Sequence, residues 1–196
     1  MAQKVGVLAL QGDFAKHLAM LQLLHIETVL VKKPQDLRGC KGLIIPGGES
    51  TTLTSLMRKC NMHEPIREFA AKHPIMGTCA GAIMVASRAD DQRIEPLQLI
   101  DISVVRNAYG RQIDSFVTHV EVAFLKGSAW FKAVFIRAPK ISTVGAQVEV
   151  LMELDGNPIM VQEGNILALT FHPELTSDPR IHEYFLEHFM SAQTPF

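Results

Sequence analysis

The sequence predicts an α/β fold with three layers: an open, mostly parallel sheet with helices on both faces, and additional antiparallel strands. Three observations carry this prediction. Short apolar runs alternate with segments of helical periodicity through the first half of the chain. Glycine-bearing turns close several of those runs. The second half holds strand-like segments separated by hairpin-type turns. Strand alternating with helix predicts a parallel sheet, whose ligand crevice lies beyond the carboxyl ends of its strands.

Taken in order, Val5 to Leu10 is a near-continuous apolar run that ends at Gln11-Gly12-Asp13. Phe14, Leu18, Leu21 and Leu24 follow at helical spacing. This is a buried strand, a turn with Asp13 as N-cap, and an amphipathic helix. Ile26 to Val31 predicts a second strand, and Leu43 to Ile45 a third that stops at Pro46-Gly47-Gly48, with a helix from Ser50 or Thr51. Asn61 to Lys72 predicts another helix. Pro74 to Gly77 predicts a short strand running into Thr78-Cys79-Ala80-Gly81 and the small apolar run Ala82 to Ala86.

Leu97 to Val105, Ile113 to Phe124, Ala133 to Ile136, Val148 to Leu154, Pro158 to Gln162 and Ile166 to Phe171 then predict mostly antiparallel strands. Asp155-Gly156-Asn157 and Glu163-Gly164-Asn165 serve as hairpin turns. Residues Pro179 to Met190 predict a closing helix with Ile181, Tyr184, Phe185, His188 and Phe189 on one face.

A chain of 196 residues suits a single domain, read here as 1–196. A formal net charge of −1 with scattered Lys and Arg provides no field for nucleic acid or anionic lipid. No apolar stretch reaches the roughly 20 residues of a spanning helix, and Met1 leads into a strand without a cleavable leader, so a cytoplasmic protein is expected. Cys40, Cys60 and Cys79 are odd in number and lack C-x-x-C spacing, which argues against disulfides and structural zinc. No metal or cofactor is expected. His17, His25, His63, His73, His119, His182 and His188 share no metal-ligand spacing and are read as surface or partly packed.

Gly77-Thr78-Cys79-Ala80-Gly81 has the form of a nucleophile elbow, a sharp strand-to-helix turn that needs small neighbours. The helix N-terminus favours a thiolate there, and first-turn amides can cradle an oxyanion. Phe171-His172-Pro173-Glu174 follows the last strand. Residues two apart point the same way in extended backbone, so Glu174 can hold the His172 ring while His172 takes the Cys79 proton. Taken alone, the same segment fits a loop histidine beside an N-capping glutamate. Pro46-Gly47-Gly48-Glu49-Ser50 offers backbone N–H groups to a developing oxyanion, and alone it reads as a plain turn. The three elements lie at carboxyl ends of predicted strands and have complementary roles.

On these segments the chain resembles class I glutamine amidotransferases, which have a flavodoxin-like sheet. It is more closely similar to glutaminase subunits of two-component pyridoxal 5'-phosphate synthases. Further matching segments are Gly6 to Asp13, Arg106-Asn107-Ala108-Tyr109-Gly110-Arg111-Gln112, Phe135-Ile136-Arg137-Ala138-Pro139 and Phe171 to Thr176. The resemblance implies that Cys79 attacks the side-chain amide of L-glutamine. It also implies an oxyanion hole of Gly48 and Ala80, with glutamine contacts from Gly47, Gly48, Glu49, Arg106, Ile136 and Arg137. Read without it, the two arginines are surface residues that end predicted strands. The resemblance further implies an ammonia-consuming synthase (lyase) subunit in a large hetero-oligomer, with Gln11-Gly12-Asp13 near the docking face. Ala82 departs from the larger aliphatic expected after the elbow. Two other readings fit the residues: a cysteine hydrolase or peptidase of the same fold, and a catalytically silent regulatory subunit.

Overall fold

The computed structural model describes residues 4–106 and 115–190. Its first half runs β1 (Lys4–Leu8), α1 (Phe14–Leu23), β2 (Glu27–Val31), β3 (Gly42–Ile45), α2 (Ser50–Lys59), α3 (His63–Ala70), β4 (Ile75–Thr78) and α4 (Ala80–Val85). After β5 (Ala86–Ala89) and β6 (Ile100–Val105) come β7 (Ser115–Glu121), β8 (Trp130–Ile136), β9 (Lys140–Val144), β10 (Glu149–Leu154), β11 (Asn157–Glu163) and β12 (Ile166–Leu169). A 3-10 turn at Pro173–Leu175 precedes α5 (Arg180–Tyr184), which widens into a π-type stretch at Phe185–Met190.

The main sheet has seven strands in the order β10-β11-β12-β4-β3-β1-β2. Strands β2, β1, β3, β4 and β12 run parallel, and β11 and β10 extend the sheet antiparallel. The central strands bury both faces, and alternation sorts their side chains. Leu8, Leu43, Ile45, Ile75, Ile166 and Ala168 join α2, α3 and α4 in one core. Val5, Val7, Ile44, Met76, Leu167 and Leu169 join α1, α5 and the inner face of the β7–β8 hairpin in the other. The three predicted layers are therefore present, with short β structure added to each outer layer: β5-β6-β9 on the first face and β7-β8 on the second.

Several boundaries differ from the sequence reading. The stretch 97–99 precedes β6, residues 122–124 follow β7, and α3 begins at His63. The predicted strand residues Ile113 and Asp114, and the matching segment from Asn107 to Gln112, lie outside the described residues. Strands β5 and β9 were not anticipated. Asp13 occupies the N-cap position of α1 without a side-chain hydrogen bond to it. The strands of the second half are mostly antiparallel, as expected, although β12 pairs in parallel with β4, and β6 with β5. The Asp155-Gly156 turn forms as expected, with φ of 50° and 71°. His17 and His182 are fully buried and His63 nearly so, which corrects their reading as surface or partly packed residues. His25, His119 and His188 are exposed. No helix among the described residues is long and apolar enough to cross a membrane.

Two contacts hold the sheet's surroundings in place. Arg180 donates to the carbonyls of Ser128 (2.6 Å) and Trp130 (2.7 Å) while paired with Asp178, which ties the β7–β8 hairpin to the start of α5. Asn165, in the turn between β11 and β12, donates to the carbonyls of Ala70 (2.7 Å) and His73 (2.9 Å) and so fastens that turn to the end of α3. Asn165→Ala is expected to lower the unfolding free energy by about 1–3 kcal/mol. A urea midpoint unchanged from wild type would show that these two bonds contribute nothing.

Candidate active site

The carboxyl ends of β4, β3 and β12 converge on Cys79. Its backbone sits at φ 50° and ψ −106°, a conformation that costs an L residue on the order of 1–3 kcal/mol. Neighbouring contacts hold it there. Cys79 N–H donates to the Leu169 carbonyl at 2.8 Å, and its own carbonyl accepts from Ala82 N–H at 3.1 Å and Ile83 N–H at 3.3 Å. The small residues of the elbow are sterically required: a Cβ on Gly77 would press on the Gly81 carbonyl, and one on Gly81 would collide with that of Ile45. Cys79 is 5% exposed, and its Sγ lies 3.8 Å from the Ile136 carbonyl at the end of β8.

The parallel register of β12 with β4 sets Leu169 opposite Thr78, so the chain beyond β12 passes beside the elbow. There His172 N–H donates to the Val134 carbonyl at 2.8 Å, which positions the residue against β8. Its Nδ1 is 2.7 Å from Glu174 Oε1, and the ring lies beside Cys79, both side chains bordering Gly47. Both His172 and Glu174 are buried, at 4% and 3% exposed. Burial alone would lower the His172 pKa, but the interactions with Cys79 and Glu174 outweigh it and raise the value from 6.5 to about 10. The ring is thus held as an imidazolium beside the Glu174 carboxylate.

The glycine turn after β3 closes over this pair. A Cβ on Gly47 would collide with His172 Cε1 and come within 3.2 Å of Cys79 Cβ, so residue 47 can carry no side chain. The Gly47 carbonyl is turned toward the Gln11-Gly12-Asp13 segment, where Asp13 N–H donates to it at 3.4 Å. In a trans peptide the N–H of Gly48 then faces away from that segment. The Gln11 carboxamide lies over Gly48 and accepts from Glu49 N–H at 3.1 Å. Ala80, on the other side, is the first residue of α4.

Glu49 caps α2, accepting from Thr51 N–H (3.2 Å), Thr52 N–H (2.7 Å) and Thr51 Oγ1 (2.6 Å). Desolvation would raise its pKa, but these donors pull it down to about 2. Arg106, just past β6, pairs with Glu49 at 2.9 Å and also with Asp91, so its guanidinium is already engaged. Ile136 and Arg137 are exposed at the end of β8, and Arg137 has φ 44°. The structure therefore gathers Cys79, His172, Glu174, Gly47, Gly48, Ala80 and the Ile136 carbonyl around one point. Glu49 and Arg106 form a charged pair at the start of α2.

The sequence reading missed the polar layer behind Glu174. His17, Thr78 and His182 are all buried there, with His17 Nδ1 3.0 Å from His182 Nε2 and His17 Nε2 3.2 Å from Thr78 Oγ1. A signal existed, since His17 shares the apolar stripe of Phe14, Leu18 and Leu21, and His182 is spaced with Phe185 and Phe189.

Comparison with known proteins follows the same lines. A model described as the SNO glutamine amidotransferase family matches residues 7–191. The chain is 50% identical over 188 residues to a pyridoxal 5'-phosphate synthase subunit PdxT of Dictyoglomus turgidum, covering 94% of this chain and 97% of that one. It is 49% identical over 185 residues to the PdxT of Thermotoga maritima, covering 94% and 98%. A crystal structure of a glutamine amidotransferase superimposes with a TM-score of 0.87 at 45% identity, over 93% of this chain and 97% of the other. PurLQS from Thermotoga maritima shares the fold, with a TM-score of 0.69 at 16% identity, over 96% and 99%.

The buried imidazoles set the pH dependence of stability. His17 and His182 are held neutral by burial, His182 with its pKa near 4, so stability is expected to fall as pH drops from about 6.5 toward 4. The contribution of His172 has the opposite sign: it is complete below about 6.5 and is lost as pH rises toward 10. In urea titrations His172→Gln should flatten the alkaline limb relative to wild type. Parallel curves for the two proteins between pH 7 and 10 would contradict the assignment.

Proposed function

The chain belongs to the SNO glutamine amidotransferase family, and on that premise we propose that it hydrolyses L-glutamine to L-glutamate and ammonia. The ammonia passes to a partner synthase subunit for pyridoxal 5'-phosphate (vitamin B6) synthesis, a reading supported by relatives named pyridoxal 5'-phosphate synthase subunit PdxT. In this reading residues 1–196 act as one glutaminase domain, in the cytoplasm, within a large hetero-oligomer. The observation that supports it best is an elbow cysteine at positive φ set beside an imidazole that Glu174 holds at 2.7 Å.

The chemistry then runs through residues of the crevice. Cys79 Sγ, its proton given to His172, attacks the side-chain carboxamide carbon of glutamine, and the carbonyl oxygen takes up negative charge facing the amides of Gly48 and Ala80. His172 gives its proton to the departing nitrogen as the C–N bond breaks, so ammonia leaves and a glutamyl thioester remains. Water enters, loses a proton to His172 and attacks the thioester carbon. Glutamate departs as the C–S bond breaks, and the proton returns to Cys79. Glu174 fixes the His172 tautomer and offsets the charge of the imidazolium.

Gly47, Gly48, Glu49, Arg106, Ile136 and Arg137 bind the substrate. The Glu49–Arg106 pair presents one carboxylate and one guanidinium, and free glutamine carries the complementary ammonium and carboxylate. The zwitterion opens that pair and takes both partners.

In the presence of the synthase subunit, Cys79→Ala is expected to cut glutamate release by a factor of at least about 10³. A glutamine-like electrophile should modify Cys79 ahead of Cys40 and Cys60. Glutamine-dependent synthesis by Cys79→Ala at the wild-type rate would point to a silent regulatory subunit. Cleavage of peptides with none of glutamine would point to a peptidase. Gly47→Ala, which intrudes on the His172 ring, should lower kcat by about 10²-fold or more.

A further inference from the structure

Glu174 uses only one of its oxygens on His172. Oε1 lies 2.7 Å from His172 Nδ1, while Oε2 is buried, with no hydrogen bond inside normal limits among the described residues. The nitrogen facing Oε2 is Nε2 of His17, at 3.5 Å, and the same nitrogen is 3.2 Å from Thr78 Oγ1. His17 Nδ1 meets His182 Nε2 at 3.0 Å, and His182 Nδ1 is buried without a partner among the described residues. Side chains from α1, β4 and α5 thus meet at the back of the carboxylate that orients the proposed general base.

Burial keeps both outer imidazoles uncharged, so each carries a single N–H, and two arrangements of protons are open. In one, His17 donates from Nδ1 to His182. Its Nε2 lone pair then faces the charged Oε2, and His182 buries an N–H on Nδ1 with nothing to accept it. In the other, His182 donates from Nε2 to His17 Nδ1, and His17 carries its proton on Nε2, facing Thr78 Oγ1 and Glu174 Oε2. His182 Nδ1 is then only an unused acceptor. Burying an unmade donor and aiming a lone pair at a carboxylate are both unfavourable, and only the first arrangement requires them.

We propose that His17 is a positioning residue for the triad: its Nε2–H, shared between Thr78 Oγ1 and Glu174 Oε2, holds the carboxylate from the side opposite His172, and His182 sets the tautomer that makes this possible. The order of donation is His182 to His17 to Glu174, with Glu174 receiving His172 Nδ1–H on its other oxygen. Two donors on two oxygens fix the carboxylate in rotation, and through it the imidazole ring that serves Cys79.

This inference rests on the glutaminase reading, and the experiment separates the two. The full chain carrying His17→Leu or His17→Gln is assayed together with its synthase partner; both variants leave His182 without its acceptor. A glutamine carboxamide nitrogen reaches the place of Nε2, whereas leucine removes the donor. His17→Leu is expected to lose about tenfold or more in kcat with KM within about twofold, and His17→Gln to recover most of that loss. Nitrogen NMR of the histidine-labelled wild-type chain should find His17 protonated at Nε2. An Nδ1–H tautomer, an unchanged kcat in His17→Leu, or equal kcat in the two variants overturns the role of His17. Full activity of Cys79→Ala would instead bring down the glutaminase reading, and the tautomer measurement stands independently of it.

Discussion

A cysteine held at positive φ between two close-packed glycines is the constraint on which the rest of the site depends. The elbow works only because backbone meets backbone there: Gly77 against Gly81, and Gly81 against the carbonyl of Ile45. Its conformational cost is offset by bonds to neighbouring elements, including the one from Cys79 N–H to the end of β12. That bond also aligns the two strands whose extensions carry the sulfur and the imidazole. With β12 in parallel register against β4, His172 needs only three residues beyond Leu169 to reach its position. The crevice is thus a product of sheet topology, with short loops completing it.

The layered architecture was legible because its central strands β1, β3, β4 and β12 are buried on both faces and read as short apolar runs. Strands β5 and β9 were not, for the same physical reason reversed: β5 buries only Ala86, and β9 buries only Ile141 while exposing Ser142, Thr143 and Val144. A strand that packs one or two side chains leaves little pattern to detect. The elbow, the His-x-Glu pair and the glycine turn could be read from local chemistry, since each needs particular residue types at particular spacings. What joins them could not. That Gln11 accepts from the Glu49 amide, or that Arg106 is shared by Glu49 and Asp91, depends on contacts between elements far apart in the chain. His17 and His182 were misread because a histidine within an apolar stripe has no partner visible in sequence, and burial there is decided by what the opposing helix supplies.

Glu49 shows how one side chain can serve two purposes. As the cap of α2 it accepts three hydrogen bonds, which keeps it ionised well into acid. The same charge holds Arg106 at the edge of the crevice. Helix capping and charge presentation are therefore supplied by one carboxylate, and neither can be altered alone.

The segment Gln11-Gly12-Asp13 leads directly into α1, a ten-residue helix about 15 Å long. Its approach touches the glycine turn through Gln11 and Asp13, and its first turns carry His17 to the rear of Glu174. Two parts of the crevice that share no residues are in this way bolted to a single stiff strut. The glycine turn in front of the sulfur and the carboxylate behind the imidazole therefore take their placement from the same short stretch of chain.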